Sequence, residues 1–261
     1  MLDIYLDVAV GGRVMAHLLD PPGLGVRYES REAMARGLPA DLAAHLDWLR
    51  RHGQTVSEEP VAYRLAAEGA IGGNFESGDD VGFYRPDAQP VTAGETQDYL
   101  RIAGYAHDDL LALVGDLDDA ALDWVRDDRT RPIRGILRHV AGAELWYMTR
   151  IIDDPGVAGV PEVIAAADAR CDATEDMRER VRIVWRAFQQ WARSLTPAQR
   201  ERVVVPTWYA HAEYAERWTA RKVLRRCIEH CREHTRSIER LLEDCRSRAP
   251  GGSVPPRPER F

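Results

Sequence analysis

Several features that would place this chain in a specialised class are absent from its 261 residues. It has only four cysteines, and three of them fall on one predicted helix, which excludes the disulfide framework of a small secreted protein. No apolar run reaches the roughly 18 to 20 residues that cross a bilayer. The first 20 residues also lack the basic start, apolar stretch and small-residue cleavage site of a signal peptide. We therefore expect a cytoplasmic protein with no membrane partner.

A net positive charge and the common nucleotide-binding and hydrolase motifs are also missing. Lys222 is the only lysine, and the net charge of -7 argues against a nucleic-acid partner. The sequence contains no Walker motif, no Rossmann fingerprint, no G-x-S-x-G and no H-E-x-x-H. We therefore expect a small molecule as the partner, and any chemistry has to come from another group of residues.

The composition is that of a folded chain, and its first part has the two-residue period of strands. Hydrophobic residues make up 45% and charged residues 30%, which is typical of a globular protein. Apolar residues alternate over 4–10 and 13–19 on either side of Gly11 and Gly12, which predicts a hairpin. A third extended segment, 25–29, precedes a helix with three- and four-residue spacing over 31–51. The predicted order is β-β-β-α, and two further extended stretches, 61–67 and 81–84, flank a glycine-rich turn at 69–74.

After Pro90 the pattern becomes helical almost to the end. Thr92 and Glu95 form a capping box at the start of the first helix of this part. The second helix is predicted over 131–152 with Thr130 as its N-cap, and the third has an apolar seam with alternating spacings of four and three from Met177 to Leu195. The fourth spans about 219–245. Four such helices predict a bundle, and the fold class is therefore α+β.

The change of period and the prolines place the domain boundaries. Pro86 and Pro90 mark a linker between the period near two and the period near 3.6. We assign residues 1–88 to a small α+β domain and 89–246 to the helical bundle. Residues 247–261, which are rich in proline, glycine and arginine, are predicted to be disordered.

Three histidines form the candidate site. His230 and His234 are four residues apart and fall within the apolar stripe of the last helix, so they share one face that points into the bundle. Two imidazoles at this spacing can bind one transition metal. His139 lies at the edge of the stripe of the second helix and could complete the set. From spacing alone, a metal site and ordinary half-buried histidines bonded to carbonyl groups both stay open.

A rival metal site on a single helix is excluded because its four side chains would lie too far apart along the helix. Cys227, His230, Cys231 and His234 have the composition of a Cys2His2 zinc site. Positions seven residues apart on a straight helix lie about 10 Å apart along its axis, which is too far for four side chains to close on one ion. We therefore expect Cys227 and Cys231 to pack as small hydrophobic residues.

Two segments resemble the metal-site helices of the DinB/YfiT-like superfamily. They are RPIRGILRHVAGAELWYMTRII at 131–152 and RWTARKVLRRCIEHCREHTRSIERLL at 217–242. The resemblance implies a four-helix bundle that binds a divalent metal through one histidine of its second helix and an H-x-x-x-H pair of its last helix. Carried over to this chain, it implies His139, His230 and His234 as ligands. Similar proteins include transferases that use low-molecular-weight thiols such as bacillithiol or mycothiol.

The first 53 residues resemble the HicB-type antitoxin fold. The likeness rests on the β-β-β-α order and on GLGVRYESREAMARGLPADLAAHLDWLRRHG at 23–53. The DNA-binding tail of such antitoxins is missing from this chain, so the resemblance does not imply DNA repression.

Two functions of different classes follow. The first is a metal-dependent enzyme in which His139, His230 and His234 bind Zn, Ni or Fe and leave positions open for water or a low-molecular-weight thiol. It would hydrolyse a small substrate or transfer the thiol to a small electrophile. The second is a non-catalytic module in which the HicB-like part binds a protein or forms a homodimer and the metal stabilises the bundle.

Overall fold

The N-terminal part of the computed structural model is a four-stranded sheet covered on one side by a long helix. The structure describes residues 1–56, 62–72, 75, 82–208 and 215–248. The elements here are β1 (Leu2–Ala9), β2 (Val14–Leu19), β3 (Pro22–Tyr28), α1 (Arg31–Arg51) and β4 (Tyr63–Ile71). The predicted β-β-β-α order is therefore confirmed.

The sheet has the strand order β3-β2-β1-β4. β1 and β2 form the predicted antiparallel hairpin, with Ile4 opposite Leu18 and Val8 opposite Val14. β4 adds to the free edge of β1 in parallel orientation. The prediction of a turn at 69–74 is wrong for residues 69–71, which continue β4, while residues 73 and 74 lie outside the described residues. Residues 82–84 are not in a strand, and Val81 lies outside the described residues.

The two faces of the sheet are buried against different partners. Ile4, Leu6 and Leu18 pack against Leu38 and Leu42 of α1 in an apolar core. The opposite face of the sheet carries Tyr5, Asp7, Met15, His17 and Leu19, because side chains alternate along each strand. This second face lies toward the last helix of the chain, which packs against β3 and hydrogen-bonds His17.

The C-terminal part is a bundle of four long helices with shorter helices between them. The long ones are α2 (Ala93–Val114), α4 (Ile133–Met148), α7 (Met177–Ser194) and α9 (Ala220–Arg248). The shorter ones are α3 (Asp119–Asp123), α5 (Pro155–Ala158), α6 (Glu162–Asp172) and α8 (Pro197–Glu201). α2 packs on α9 and α7, and α4 packs on the same two helices, so α2 and α4 lie diagonally across the bundle. The predicted α+β fold class is confirmed.

The helix ends show where local sequence signals suffice and where they fail. The capping box is present, with the Glu95 amide donating to Thr92 Oγ1 at 3.1 Å and the Thr92 amide donating to Glu95 at 2.8 Å. The prediction of Thr130 as the N-cap of α4 is wrong. Its hydroxyl donates to Asp127 at 2.6 Å in a preceding turn, and α4 begins three residues later, after Pro132.

α9 extends to Arg248, so the first two residues of the predicted tail are helical, and residues 249–261 lie outside the described residues. Within the described ranges, no helix is both long and apolar enough to span a membrane.

Candidate metal centre

The site lies where α4 crosses α9 in the bundle. α9 buries one side along Val223, Cys227 and Ile238, and this stripe turns His230 and His234 toward α4. α4 buries Ile136, Leu137 and Val140 and leaves His139 at the edge of that apolar surface. The packing of the apolar faces of α4 and α9 therefore brings the three imidazole rings together.

The three imidazoles meet through the same ring atom. His230 Nε2 lies 3.0 Å from His139 Nε2 and 3.1 Å from His234 Nε2. Three nitrogens that are each about 2.0 to 2.1 Å from a common ion lie about 2.8 to 3.4 Å apart at bond angles between about 90° and 110°. The observed spacing is therefore that of three donors to one ion, and the sequence prediction that these residues come together agrees with it.

Burial keeps these imidazoles neutral, which is the form that binds metals. It is the main cause that lowers the pKa of all three, and it lowers that of His234 to about 3, with further contributions from His139 and Arg131. The pKa of His230 lies well below its usual 6.5, and that of His139 is lowered as well.

The hydrogen bonding of His230 and His234 is incomplete at both ring nitrogens. Nδ1 of His230 and Nδ1 of His234 are buried, and no atom of the described residues bonds to either. Three Nε2 lone pairs that point at each other are mutually repulsive unless a proton or a cation lies between them. The residues present therefore fit a divalent transition metal, because a metal would use all three lone pairs and nitrogen is a donor such ions prefer.

A cavity of about 450 Å³ opens beside His234. Its wall also includes apolar, basic and acidic side chains, among them Ile136, Leu241, Arg126, Arg131, Arg240, Glu243 and Asp244. Arg131 lies close enough to lower the pKa of both His139 and His234. A small molecule in this cavity would therefore contact His234 and meet an apolar surface and charges of both signs.

The buried side of the triad is held by a tyrosine and an arginine. The ring of Tyr147 stands perpendicular to that of His230, with their centres 5.7 Å apart. Arg226 hydrogen-bonds Tyr147 and donates to Glu229 at 2.8 Å. These contacts fix the orientation of His230, which is 7% exposed.

Glu229, which precedes His230 in α9, belongs to a different set of contacts. Glu229 accepts hydrogen bonds from His17 at 3.3 Å and from Arg225 at 3.1 Å, in addition to Arg226. His17 also donates to Asp7 at 2.8 Å, and Arg225 binds both carboxylate oxygens of Asp87. This sheet network joins the strands to the bundle, and sequence reasoning missed it because its members are far apart in the chain.

Sequence reasoning also missed a second group of potential ligands. His107, Glu144 and Cys231 are all buried, and their donor atoms lie within 4.8 Å of one another. Cys231 belongs to this second group. Among the described residues, the first group, formed by His139, His230 and His234, contains no cysteine. The position of Glu144 in the apolar stripe of α4 was the available sequence signal.

Comparisons with known proteins found matches to the helical part of the chain. The model of the DinB superfamily matches residues 105–238, which include all three histidines. Among solved structures, the chain is similar to YfiT from Bacillus subtilis, described as a probable metal-dependent hydrolase with an unusual four-helix bundle topology. The identity is 18% and the TM-score is 0.44, over 63% of this chain and 95% of that one. No curated protein matches the chain, and the resemblance of its first part to HicB stays a prediction.

Proposed function

We propose that this chain, which belongs to the DinB superfamily, is a metal-dependent enzyme that acts on a small molecule. His139, His230 and His234 would bind a divalent transition metal, which is Zn, Ni or Fe from the donor type. The observation that carries the proposal is the convergence of the three Nε2 atoms, at 3.0 and 3.1 Å, beside an open cavity.

Three histidines leave part of the coordination sphere of such an ion available. Structural zinc sites are closed by four protein ligands, whereas catalytic sites bind through three and keep a position for water or substrate. Among the described residues, no fourth donor joins the histidine group. A metal bound there would act as a Lewis acid and lower the pKa of a water or thiol, which provides a nucleophile at neutral pH.

Other residues around the triad exclude water on one side and admit a substrate on the other. Tyr147 and the buried side of α9 exclude water from behind His230. The cavity wall admits a small substrate, and Arg131, whose charge acts on both His139 and His234, favours a carboxylate at the end of the cavity next to the triad. The reaction is then hydrolysis, or transfer of a low-molecular-weight thiol to a small electrophile.

A two-part assay separates these reactions. The metal-loaded chain is incubated with a chromogenic electrophile, 1-chloro-2,4-dinitrobenzene, with and without bacillithiol or mycothiol, and separately with p-nitrophenyl acetate. We expect turnover above the uncatalysed rate in one arm, and we expect its loss in His234→Ala. Dependence on thiol identifies the transferase, and ester cleavage without thiol identifies the hydrolase.

The control for this assay is His52→Ala, which removes a histidine at the end of α1 whose Nε2 contacts Asp109 at 3.2 Å. It should retain both the metal and the activity. A wild-type chain that binds metal stoichiometrically and is inactive across a wider panel of esters, amides and electrophiles would favour the non-catalytic alternative.

A further inference from the structure

His107, Glu144 and Cys231 form a cluster of metal-ligating side chains outside the site described above. His107 comes from α2, Glu144 from α4 and Cys231 from α9, and all three are at most 1% exposed. Their donor atoms lie within 4.8 Å of one another. Around α9, Cys231 is turned about 100° from His230, so this cluster lies in the bundle core and not at the cavity.

The histidine of this cluster already has the outer hydrogen bond of a metal ligand. His107 Nδ1 donates to the Ala103 carbonyl at 2.8 Å, which leaves Nε2 to point inward. Metal-binding histidines characteristically donate their second nitrogen in this way, because the bond fixes the ring and its tautomer. Trp185 stacks on the imidazole with the ring centres 4.1 Å apart and holds the same orientation.

The carboxylate of the cluster is only weakly satisfied at one oxygen. Glu144 Oε1 accepts a hydrogen bond from His107 Nε2 at 2.7 Å. Glu144 Oε2 is fully buried, and the one side chain that reaches Glu144 besides His107 among the described residues is the thiol of Cys227, a weak donor. A buried carboxylate oxygen that is poorly paired is costly, and a cation that displaced the protons of His107 Nε2 and the Cys231 thiol would bind both side chains together with this carboxylate.

We propose that His107, Glu144 and Cys231 bind a second transition-metal ion. One imidazole, one carboxylate and one thiolate are donors that zinc and cobalt accept. Donor atoms around such an ion lie roughly 3 to 4 Å apart, so side-chain adjustment is sufficient to enclose it. The site is closed to solvent, and Glu144 bound through both carboxylate oxygens would bring the protein donors to four, which gives the site a structural role in joining α2, α4 and α9. This inference does not depend on the proposed function, because it shares no ligand with the histidine triad.

Cobalt distinguishes the two sites because only one contains a thiolate. The full chain is expressed in medium supplemented with cobalt, and its near-ultraviolet absorption is recorded together with its metal content. We expect a thiolate-to-cobalt charge-transfer band in the wild type and in His234→Ala, which retains the Cys231 site. The band should disappear in Cys231→Ser and in the nearly isosteric Glu144→Gln.

Cys245→Ser is the control, since Cys245 is a free cysteine of the same helix, 14 residues or about 21 Å further along it. It should retain the band. Helical circular dichroism of each variant shows whether it is folded, and Glu144→Gln tests the site if Cys231→Ser does not fold. The proposal is wrong if the wild type has no band, if the band persists in folded Cys231→Ser or Glu144→Gln, or if His234→Ala or Cys245→Ser abolishes it.

Discussion

Two adjacent residues of α9, Glu229 and His230, belong to polar clusters of opposite kinds. Both are buried, Glu229 at 0% and His230 at 7% exposure. Every polar atom of Glu229 has a partner, since it accepts from His17, Arg225 and Arg226. His230 has an unbonded Nδ1, and its Nε2 faces two other imidazole nitrogens.

The difference shows how a buried polar cluster can be assigned to stability or to binding. The carboxylates of the sheet network are all matched, by guanidinium groups, by His17 and by Tyr84, and among the described members only Arg226 Nε has no hydrogen-bond partner. Such a cluster holds elements together, and removing one member leaves a buried charge uncompensated. The three Nε2 atoms of the triad face each other and are matched only if a cation lies between them, as in the proposed metal site. The following predictions test this contrast, starting with the largest effect.

Removing the N-terminal part should have the largest effect on stability. A fragment of residues 90–245 lacks Asp7, His17 and Asp87, so Arg225 loses its aspartate partner and Glu229 loses His17. It also lacks Trp48 and Leu49 of α1, which belong to the core of the bundle. We expect the fragment to melt well below the full chain in circular dichroism. A fragment with an unchanged melting temperature would show that the two predicted domains are energetically independent.

Breaking the sheet network at one residue should have the next largest effect. Glu229→Gln removes the negative charge that faces Arg225, Arg226 and His17, and we expect the free energy of unfolding to fall by about 3 to 5 kcal/mol. Urea denaturation measures this. The control is Arg64→Ala, which breaks the exposed ion pair with Asp3 at 2.6 Å and should have little effect. Equal losses in the two variants would contradict the structural role of the network.

Removing the metal should have a smaller effect on the fold. The bundle has its own apolar core, unlike a zinc finger, which unfolds without its ion. The chelated chain should keep its helical circular dichroism and lose ligand binding. Metal at about 100 times its Kd should raise the free energy of unfolding by about 2.7 kcal/mol. Unfolding of the apoprotein at room temperature would instead make the site structural.

The smallest effect is a pH dependence that comes from His17. Burial lowers the pKa of this histidine, but the charges of Asp7 and Glu229 outweigh burial and raise it above the usual 6.5. A raised pKa means that the stabilisation is fully present below about pH 6.5 and is lost as the pH rises through the folded-state value. The stability difference between wild type and His17→Gln should therefore shrink as the pH rises above about 6.5. A constant difference would contradict a charged His17 in the folded chain.

The sequence predicts local features of this molecule better than distant ones. The bounds of α1 and the Thr92 capping box follow from spacing and from residues three positions apart. The parallel pairing of β4 with β1 joins segments about 60 residues apart, and no local pattern encodes it. The same reason explains why the sheet network and the pair of His107 with Glu144 were missed.

The candidate site lies between these cases. The four-residue spacing placed His230 and His234 on one inward face, which is local information. The approach of His139 depends on how α4 packs against α9, and the spacing of the sequence left that open. The apolar stripe made His139 a candidate, the resemblance to a known family implied it as the third ligand, and the structure brings its Nε2 to 3.0 Å from that of His230.

Metal analysis of the purified chain and its histidine variants tests the central claim most directly. Elemental analysis should find a transition metal in the wild type. Each of the variants His139→Ala, His230→Ala and His234→Ala should lose most of the one ion that the triad binds. His52→Ala should retain the wild-type content. An unchanged metal content in folded His234→Ala, or a loss in His52→Ala as large as in the triad variants, would contradict the assignment of these three histidines as a metal centre.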